Sequence, residues 1–188
     1  FPPVISFNCA QVESVYSRRA PHTYGWDIMP RLVGAGLWRD VTLDVRPPVH
    51  IVDANWYTVA ADAERKTASL YLDYTVTLPV KYQDGMMTAE FTVSRDGVDK
   101  VRSTQTITSH SARVIFNLED VDPWWPRGYG DPALYDARVR ILDVNGNEID
   151  SDSRKIGLRT VSLDMTGTNS EEAPGRFCFI VNGERIYV

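Results

Sequence analysis

Several residue classes are scarce in this 188-residue chain, and each scarcity excludes something. There are only two cysteines, Cys9 and Cys178, near opposite ends, so neither a disulfide framework nor a cysteine metal cluster is available. Two thiols do not fix the redox compartment either. The three histidines, His22, His50 and His110, are scattered without ligand spacing, which argues against a metal centre or a histidine general base. No run approaches the ~20 apolar residues of a membrane-spanning helix, and Phe1-Pro2-Pro3 has neither the basic nor the apolar region of a signal peptide. An excess of positive charge is also missing. With a net charge of −5 and both signs interspersed, no polybasic surface is offered to nucleic acid or anionic lipid. Amphipathic helical periodicity is absent as well, leaving an all-β domain as the expectation.

What is present is period-2 alternation. Ser69 to Leu78 places Leu70, Leu72, Tyr74, Val76 and Leu78 on one face against Ser69, Tyr71, Asp73, Thr75 and Thr77 on the other. A one-residue slip would expose that whole apolar set, so its register is well specified. The same reading gives strands at Val49 to Trp56, around Met87 to Val93, at Val98 to Thr108, along Ala112 to Leu118, along Tyr135 to Ile141, and from the Asn145-Gly146 turn onward. Asp96-Gly97, Asn145-Gly146 and Asn182-Gly183 are tight-turn signals. The polar strand from Val98 suits a sheet edge. In the last strand, Ile156 and Leu158 share a parity that Val161 and Leu163 do not, which predicts a bend near Arg159. About seven short strands of this kind predict an immunoglobulin-like β-sandwich over residues 48–164, flanked by strands belonging to neighbouring domains.

Between two of these strands lies LEDVDPWWPRGYGDPALY, residues 118–135. Pro123, Pro126 and Pro132 remove backbone donors while Gly128 and Gly130 permit positive φ, so the stretch is a structured crossing rather than a helix or central strand. Trp124 and Trp125 are expected to plug one end of the sandwich. The alternative is a sugar-stacking strip completed by exposed tyrosines such as Tyr71 and Tyr129, which requires both indoles to be exposed and coplanar.

Towards the N-terminus, Phe1 to Val15 reads as a strand. Ser14 to Leu32 is a long loop broken at Pro21, Gly25 and Pro30 and crowded with aromatics and charges, and loops of that kind tend to carry function. Leu37 to Val45 reads as a strand ending at Pro47-Pro48, a stiff linker and the first domain boundary. After Asp164 the polar run TGTNSEEAPGR is a linker, and Phe177 to Val188 is a hairpin. Glu171 and Glu172, adjacent in that linker, would point apart rather than act as a catalytic pair. With no initiator Met and an apolar last strand, the chain reads as a piece of something longer.

Four stretches in this order resemble glycoside hydrolase family 2, and within it the β-mannosidase-like members. RRAPHTYGWDIMPRL with GLWRDVTL resembles the end of the N-terminal sugar-binding jelly-roll domain, and WWPRGYGDPALY the crossing of the immunoglobulin-like second domain. KIGLRTVSLD is similar to the strand leaving that domain, and FCFIVNGERIYV to the hairpin introducing the catalytic (β/α)8 barrel. The resemblance implies three portions: residues 1–47 from the jelly roll, 48–164 the sandwich, and 165–188 a linker and hairpin before a barrel. It further implies a parent that is a retaining, exo-acting glycoside hydrolase, while the residues themselves lead us to expect a soluble chain with no cofactor or metal. The parent's catalytic glutamates would lie in the barrel, so this chain alone should be inactive, with the barrel, the jelly roll and the sugar substrate as its partners. It also implies substrate-binding roles for Trp26, whose ring would lie against the sugar, and Asp27, which would accept hydrogen bonds from hydroxyls. Arg31 would orient Asp27 by a charge-assisted pair. Ile28-Met29 stands where the family commonly carries Trp-Gly.

Overall fold

The computed structural model of the chain describes residues 16–82, 85–165 and 177–187. The expected first strand with Cys9, the linker with Glu171 and Glu172, and Val188 lie outside the described residues. The chain divides into two compact units, with the boundary between Asp44 and Val45.

In the second unit seven strands follow in order: β1 (His50–Asp62), β2 (Thr67–Thr77), β3 (Thr88–Arg95), β4 (Val98–Thr106), β5 (Ser111–Leu118), β6 (Tyr135–Leu142) and β7 (Glu148–Ile156). They form two antiparallel sheets, ordered β1-β2-β5 and β4-β3-β6-β7. This is the expected immunoglobulin-like sandwich, with β4 joined to β3 rather than to β5. The polar β4 lies at a sheet edge, as its composition predicts.

The core is built from the inward rows of the two sheets. Ala68, Leu70, Leu72, Tyr74 and Val76 alternate as buried residues along β2, and Ala89, Phe91 and Val93 of β3 and Ala137, Val139 and Ile141 of β6 do the same opposite them. Across the β2–β5 ladder, Leu70 is opposite Phe116, Leu72 opposite Val114 and Tyr74 opposite Ala112, so the inward apolar rows of the two strands meet pair by pair. Phe91 touches rings of the other sheet on two sides, Tyr74 at 5.5 Å and Phe116 at 5.8 Å, and Trp56 stacks on Phe116 at 5.7 Å. These tilted and edge-on arrangements are the ones aromatic quadrupoles favour, adding to the area each ring removes from water.

β1 runs six residues past the predicted Trp56 because its backbone pairs with β2 as far as Asp62 opposite Thr67. The alternation that signals a strand fades there, while the ladder hydrogen bonds continue. No glycine or proline marks the turn that follows. Instead Asp62 Oδ1 accepts the backbone N–H groups of Glu64 (3.0 Å) and Arg65 (2.9 Å), an Asx turn closed by Lys66 at φ 55°. Asp96-Gly97 forms its predicted tight turn, with φ of 53° and 79°.

Tyr135, fully buried at the start of β6, pins the crossing between β5 and β6. Its hydroxyl accepts the Asp122 N–H at 2.7 Å and donates to the Asp122 carbonyl at 3.2 Å, the arrangement of a tyrosine corner. After β7 the chain passes Gly157 and the buried Leu158 and enters β8 (Val161–Asp164), which leaves the sandwich for a third sheet. There β8 pairs with β9 (Cys178–Val181), which forms a hairpin with β10 (Glu184–Ile186). The bend predicted near Arg159 is this change of sheet.

The predicted strand Leu37 to Val45 is not formed. Residues 31–49 run without regular structure, and Leu37, Val41, Leu43 and Val45 are 74–92% exposed. A strand exists through its ladder partners, and among the described residues this segment has none, so alternation alone does not order it.

Candidate functional site

The loop singled out by its density of aromatics and charges folds as two consecutive turns. Pro21–Tyr24 forms one turn of 3-10 helix, with Pro21 at its first position, where a missing N–H costs nothing. Thr23 ties it to Ala20 through both its N–H (3.0 Å) and its hydroxyl (2.8 Å). Gly25, at φ 118°, reverses the chain, a conformation that L side chains rarely adopt. Trp26 and Met29 then exchange backbone hydrogen bonds at 3.1 and 3.0 Å, closing a two-residue tip formed by Asp27 and Ile28.

The tip presents its side chains outward. Trp26 is 62% exposed and Asp27 is exposed beside it, so an apolar ring and an acceptor-only carboxylate sit at adjacent positions. Arg31 lies with its guanidinium 5.4 Å from the centre of the buried Tyr24 ring, and the Leu32 N–H returns to the Thr23 carbonyl at 3.0 Å. The guanidinium of Arg19 donates to the Gly34 carbonyl and clasps the loop's two ends. All three predicted residues therefore belong to one loop, with Trp26 and Asp27 at its apex and Arg31 on its return limb. Among the described residues, no group of three or more His, Cys, Asp or Glu is arranged to hold a metal ion.

The alternative aromatic strip does not exist. Trp124 packs on Gly157, where an added Cβ would lie 2.8 Å from the indole, and Trp125 packs equally closely on Gly130. Both rings are half-buried, and Arg159 covers Trp124 at 4.4 Å from the ring centre. Tyr71 lies elsewhere, on the outer face of the three-stranded sheet, 5.7 Å from Tyr57. Arg113 spans both of these rings and grips Asp73 through two bonds of 2.6 and 2.8 Å, which hold the Asp73 carboxyl below its ordinary pKa. Tyr129 uses its hydroxyl to accept the Tyr187 N–H at 2.9 Å. Each tryptophan is thus seated on a glycine beside the crossing, and neither belongs to the core cluster of the sandwich that it was expected to plug.

One feature of the crossing gave no signal in the sequence. Asn182, read only as the start of a tight turn, adopts φ 50° and reaches back to the sandwich. Its side chain accepts the Thr160 N–H at 2.9 Å and donates to the Trp124 carbonyl at 2.9 Å, while its own N–H donates to the Thr160 carbonyl at 3.0 Å. The third sheet is thereby latched to the Trp-Trp-Pro crossing.

With the geometry in hand, comparison with known proteins gives a consistent answer. The chain is 34% identical over 170 residues to β-mannosidase B of Aspergillus flavus and 34% identical over 172 residues to that of Aspergillus oryzae. Each match uses 90% of this chain but 19% of the relative, so the chain spans about a fifth of the relatives' length. In fold it is similar to a β-D-mannosidase from Dictyoglomus thermophilum, with a TM-score of 0.73 at 23% identity over 92% of this chain and 21% of that one. It is also similar to a Bifidobacterium dentium β-glucuronidase, with a TM-score of 0.57 at 22% identity over 74% and 21% of the two chains. The family model for glycosyl hydrolases family 2 matches residues 49–159, the sandwich itself and more than half of the chain, and to that family this chain belongs.

Proposed function

We propose that the chain is a non-catalytic part of a longer family 2 β-mannosidase. In that enzyme the sandwich holds a sugar-binding jelly roll against a catalytic barrel, and the Trp26-Asp27 tip contributes to the sugar subsite. The observation that carries this reading is a match of nearly the whole chain to a fifth of enzymes named β-mannosidase B. The exposed tip adds support: a flat apolar ring beside an acceptor-only group suits a neutral polyol, which offers an apolar C–H face and many hydroxyl donors. The sandwich suits a spacer, since its two sheets are bonded along seven strands and its loops are tied by side chains.

The test is hydrolysis of aryl β-mannoside, β-galactoside and β-glucosaminide by the 188-residue chain, by the full-length parent, and by the parent carrying Asp27→Ala. The chain alone should be inactive and the parent active on the mannoside. A hydrogen bond to a charged group is worth ~1.5–3 kcal/mol, so Asp27→Ala should lower kcat/KM by roughly ten- to a hundred-fold. Turnover by the chain itself, or a parent inactive on the whole panel, would refute the enzyme assignment. An unaltered Asp27→Ala parent would remove the loop from the subsite.

A further inference from the structure

Asn145 and Asn182 are the two asparagines of this chain that precede a glycine. Such pairs are prone to spontaneous deamidation, because a glycine, lacking a Cβ, lets its backbone nitrogen approach the preceding side chain. Hydroxide takes the proton of the glycine N–H, and the nitrogen attacks Cγ of the asparagine. A C–N bond forms, the bond from Cγ to Nδ2 breaks, and ammonia leaves with a proton taken from water, which restores the hydroxide. Water then opens the succinimide at either carbonyl to give aspartate or isoaspartate.

The two sites are built in opposite ways. At Asn145 the side chain is exposed and meets the Asp143 carboxylate of its own turn, while the attacking nitrogen is engaged, the Gly146 N–H donating to the Asp143 carbonyl at 3.0 Å. At Asn182 the attacker is open, since among the described residues no acceptor meets the Gly183 N–H. The target is held instead. Oδ1 accepts the Thr160 N–H and Nδ2 donates to the Trp124 carbonyl, both at 2.9 Å. Nδ2 is the leaving group, so it has to give up the Trp124 carbonyl, and Cγ, tethered through both of its substituents, is not free to turn. Reaction therefore has to pass through the fraction of molecules in which the latch is open.

The product cannot close the latch again. A carboxylate has no donor for the Trp124 carbonyl and sets its negative charge against that oxygen. Isoaspartate also lengthens the main chain by one methylene in a turn of only two residues, where Val181 pairs with Glu184. The bond from the Tyr187 N–H to the Tyr129 hydroxyl lies at the other end of the hairpin and does not hold the turn. We propose that Asn182 is a site of spontaneous deamidation by water, guarded by its own latch to the crossing, and that its conversion releases the third sheet from the sandwich at that turn.

The test is incubation of the 188-residue chain at about pH 8 and about 37 °C, folded and in about 6 M guanidinium chloride, with deamidation at each Asn-Gly pair followed by peptide mass spectrometry. Asn182 should react about tenfold or more slowly in the folded chain than in the denatured one, because both bonds must open first. Gly157→Ala, which crowds Trp124, should speed the reaction of folded Asn182 about threefold or more and leave Asn145 unchanged. Asn182→Asp, which installs the product, should raise amide hydrogen exchange across residues 178–186 several-fold without altering β3 or β6. Equal rates at Asn182 in folded and denatured chains would overturn the guard. So would a folded Gly157→Ala chain in which Asn182 is not accelerated, or one in which both asparagines accelerate alike, the mark of general unfolding. Unaltered exchange in Asn182→Asp would overturn the release. The ratio of folded to denatured rates needs no substitution, so it decides the guard even if Gly157→Ala does not fold.

Discussion

Gly157→Ala gives a quantitative test of how the crossing is packed. A Cβ at residue 157 would lie 2.8 Å from Cγ of Trp124 and 2.9 Å from its Cβ and Cδ1. These atoms are the root of the indole, not the far end of a flexible chain, so the ring cannot swing aside without moving the backbone. That backbone is held by the bond from the Trp124 N–H to the Leu158 carbonyl (2.9 Å) and by Asn182. Overpacking of this kind costs ~1–3 kcal/mol, while alanine restricts the unfolded chain and returns about 0.4–1 kcal/mol. The clash wins, with a net loss of roughly 1–2 kcal/mol. At about 2–4 °C per kcal/mol for a chain of this size, Tm should fall by about 2–8 °C in calorimetry, with the urea midpoint moving in step and tryptophan fluorescence shifting red. Gly34→Ala is the control: nothing lies within 4 Å of its added Cβ, and its stability should be unchanged or slightly raised. A Gly157→Ala protein as stable as the parent sequence would refute the seating of Trp124 described here.

Two further perturbations address other parts of the sandwich. Tyr135→Phe removes the hydroxyl that satisfies both backbone groups of Asp122 in a buried setting, and should cost about 1–3 kcal/mol in urea titration; a loss under ~0.5 kcal/mol would mean that water replaces the bond. Asp73, Asp120, Asp143 and Glu148 all have carboxyls held below their ordinary pKa, chiefly by hydrogen bonds from Arg113, Lys100, Asn147 and Ser151 respectively. A depressed folded-state pKa contributes stability that is complete above the unfolded value near pH 4 and lost below it. Stability should therefore be flat from about pH 7 to 5 and decline below pH 4, and Asp73→Asn should shallow that decline. A decline beginning above pH 6 would point to another group.

The β-sandwich was readable because its information is local. The alternation in β2, β3 and β6 fixes which side chains face inward, and glycine-bearing turns such as Asp96-Gly97 fix where the chain reverses. Where structure depends on partners distant in sequence, reading failed. Leu37 to Val45 alternates as well as a real strand, yet among the described residues it has no ladder neighbour and stays irregular. The far end of β1 shows the converse, a strand maintained by β2 where its own pattern has lapsed. Trp26, Asp27 and Arg31 share a loop because they are close in sequence. Asn182 and Trp124 lie 58 residues apart, and nothing in either neighbourhood announces their bond.

The open borders of the four-stranded sheet carry a consequence for behaviour at high concentration. A border strand offers unpaired N–H and C=O groups to any other chain with a matching border, and β4 and β7 occupy such positions in the four-stranded sheet. β4 carries Asp99, Lys100 and Arg102, and β7 carries Glu148, Asp150, Asp152, Arg154 and Lys155. A second copy adding its own strand there would have to dehydrate these charges and break the ion pairs they form. Sheet-to-sheet joining, the route to fibrous association, is thus penalised at both borders of the four-stranded sheet.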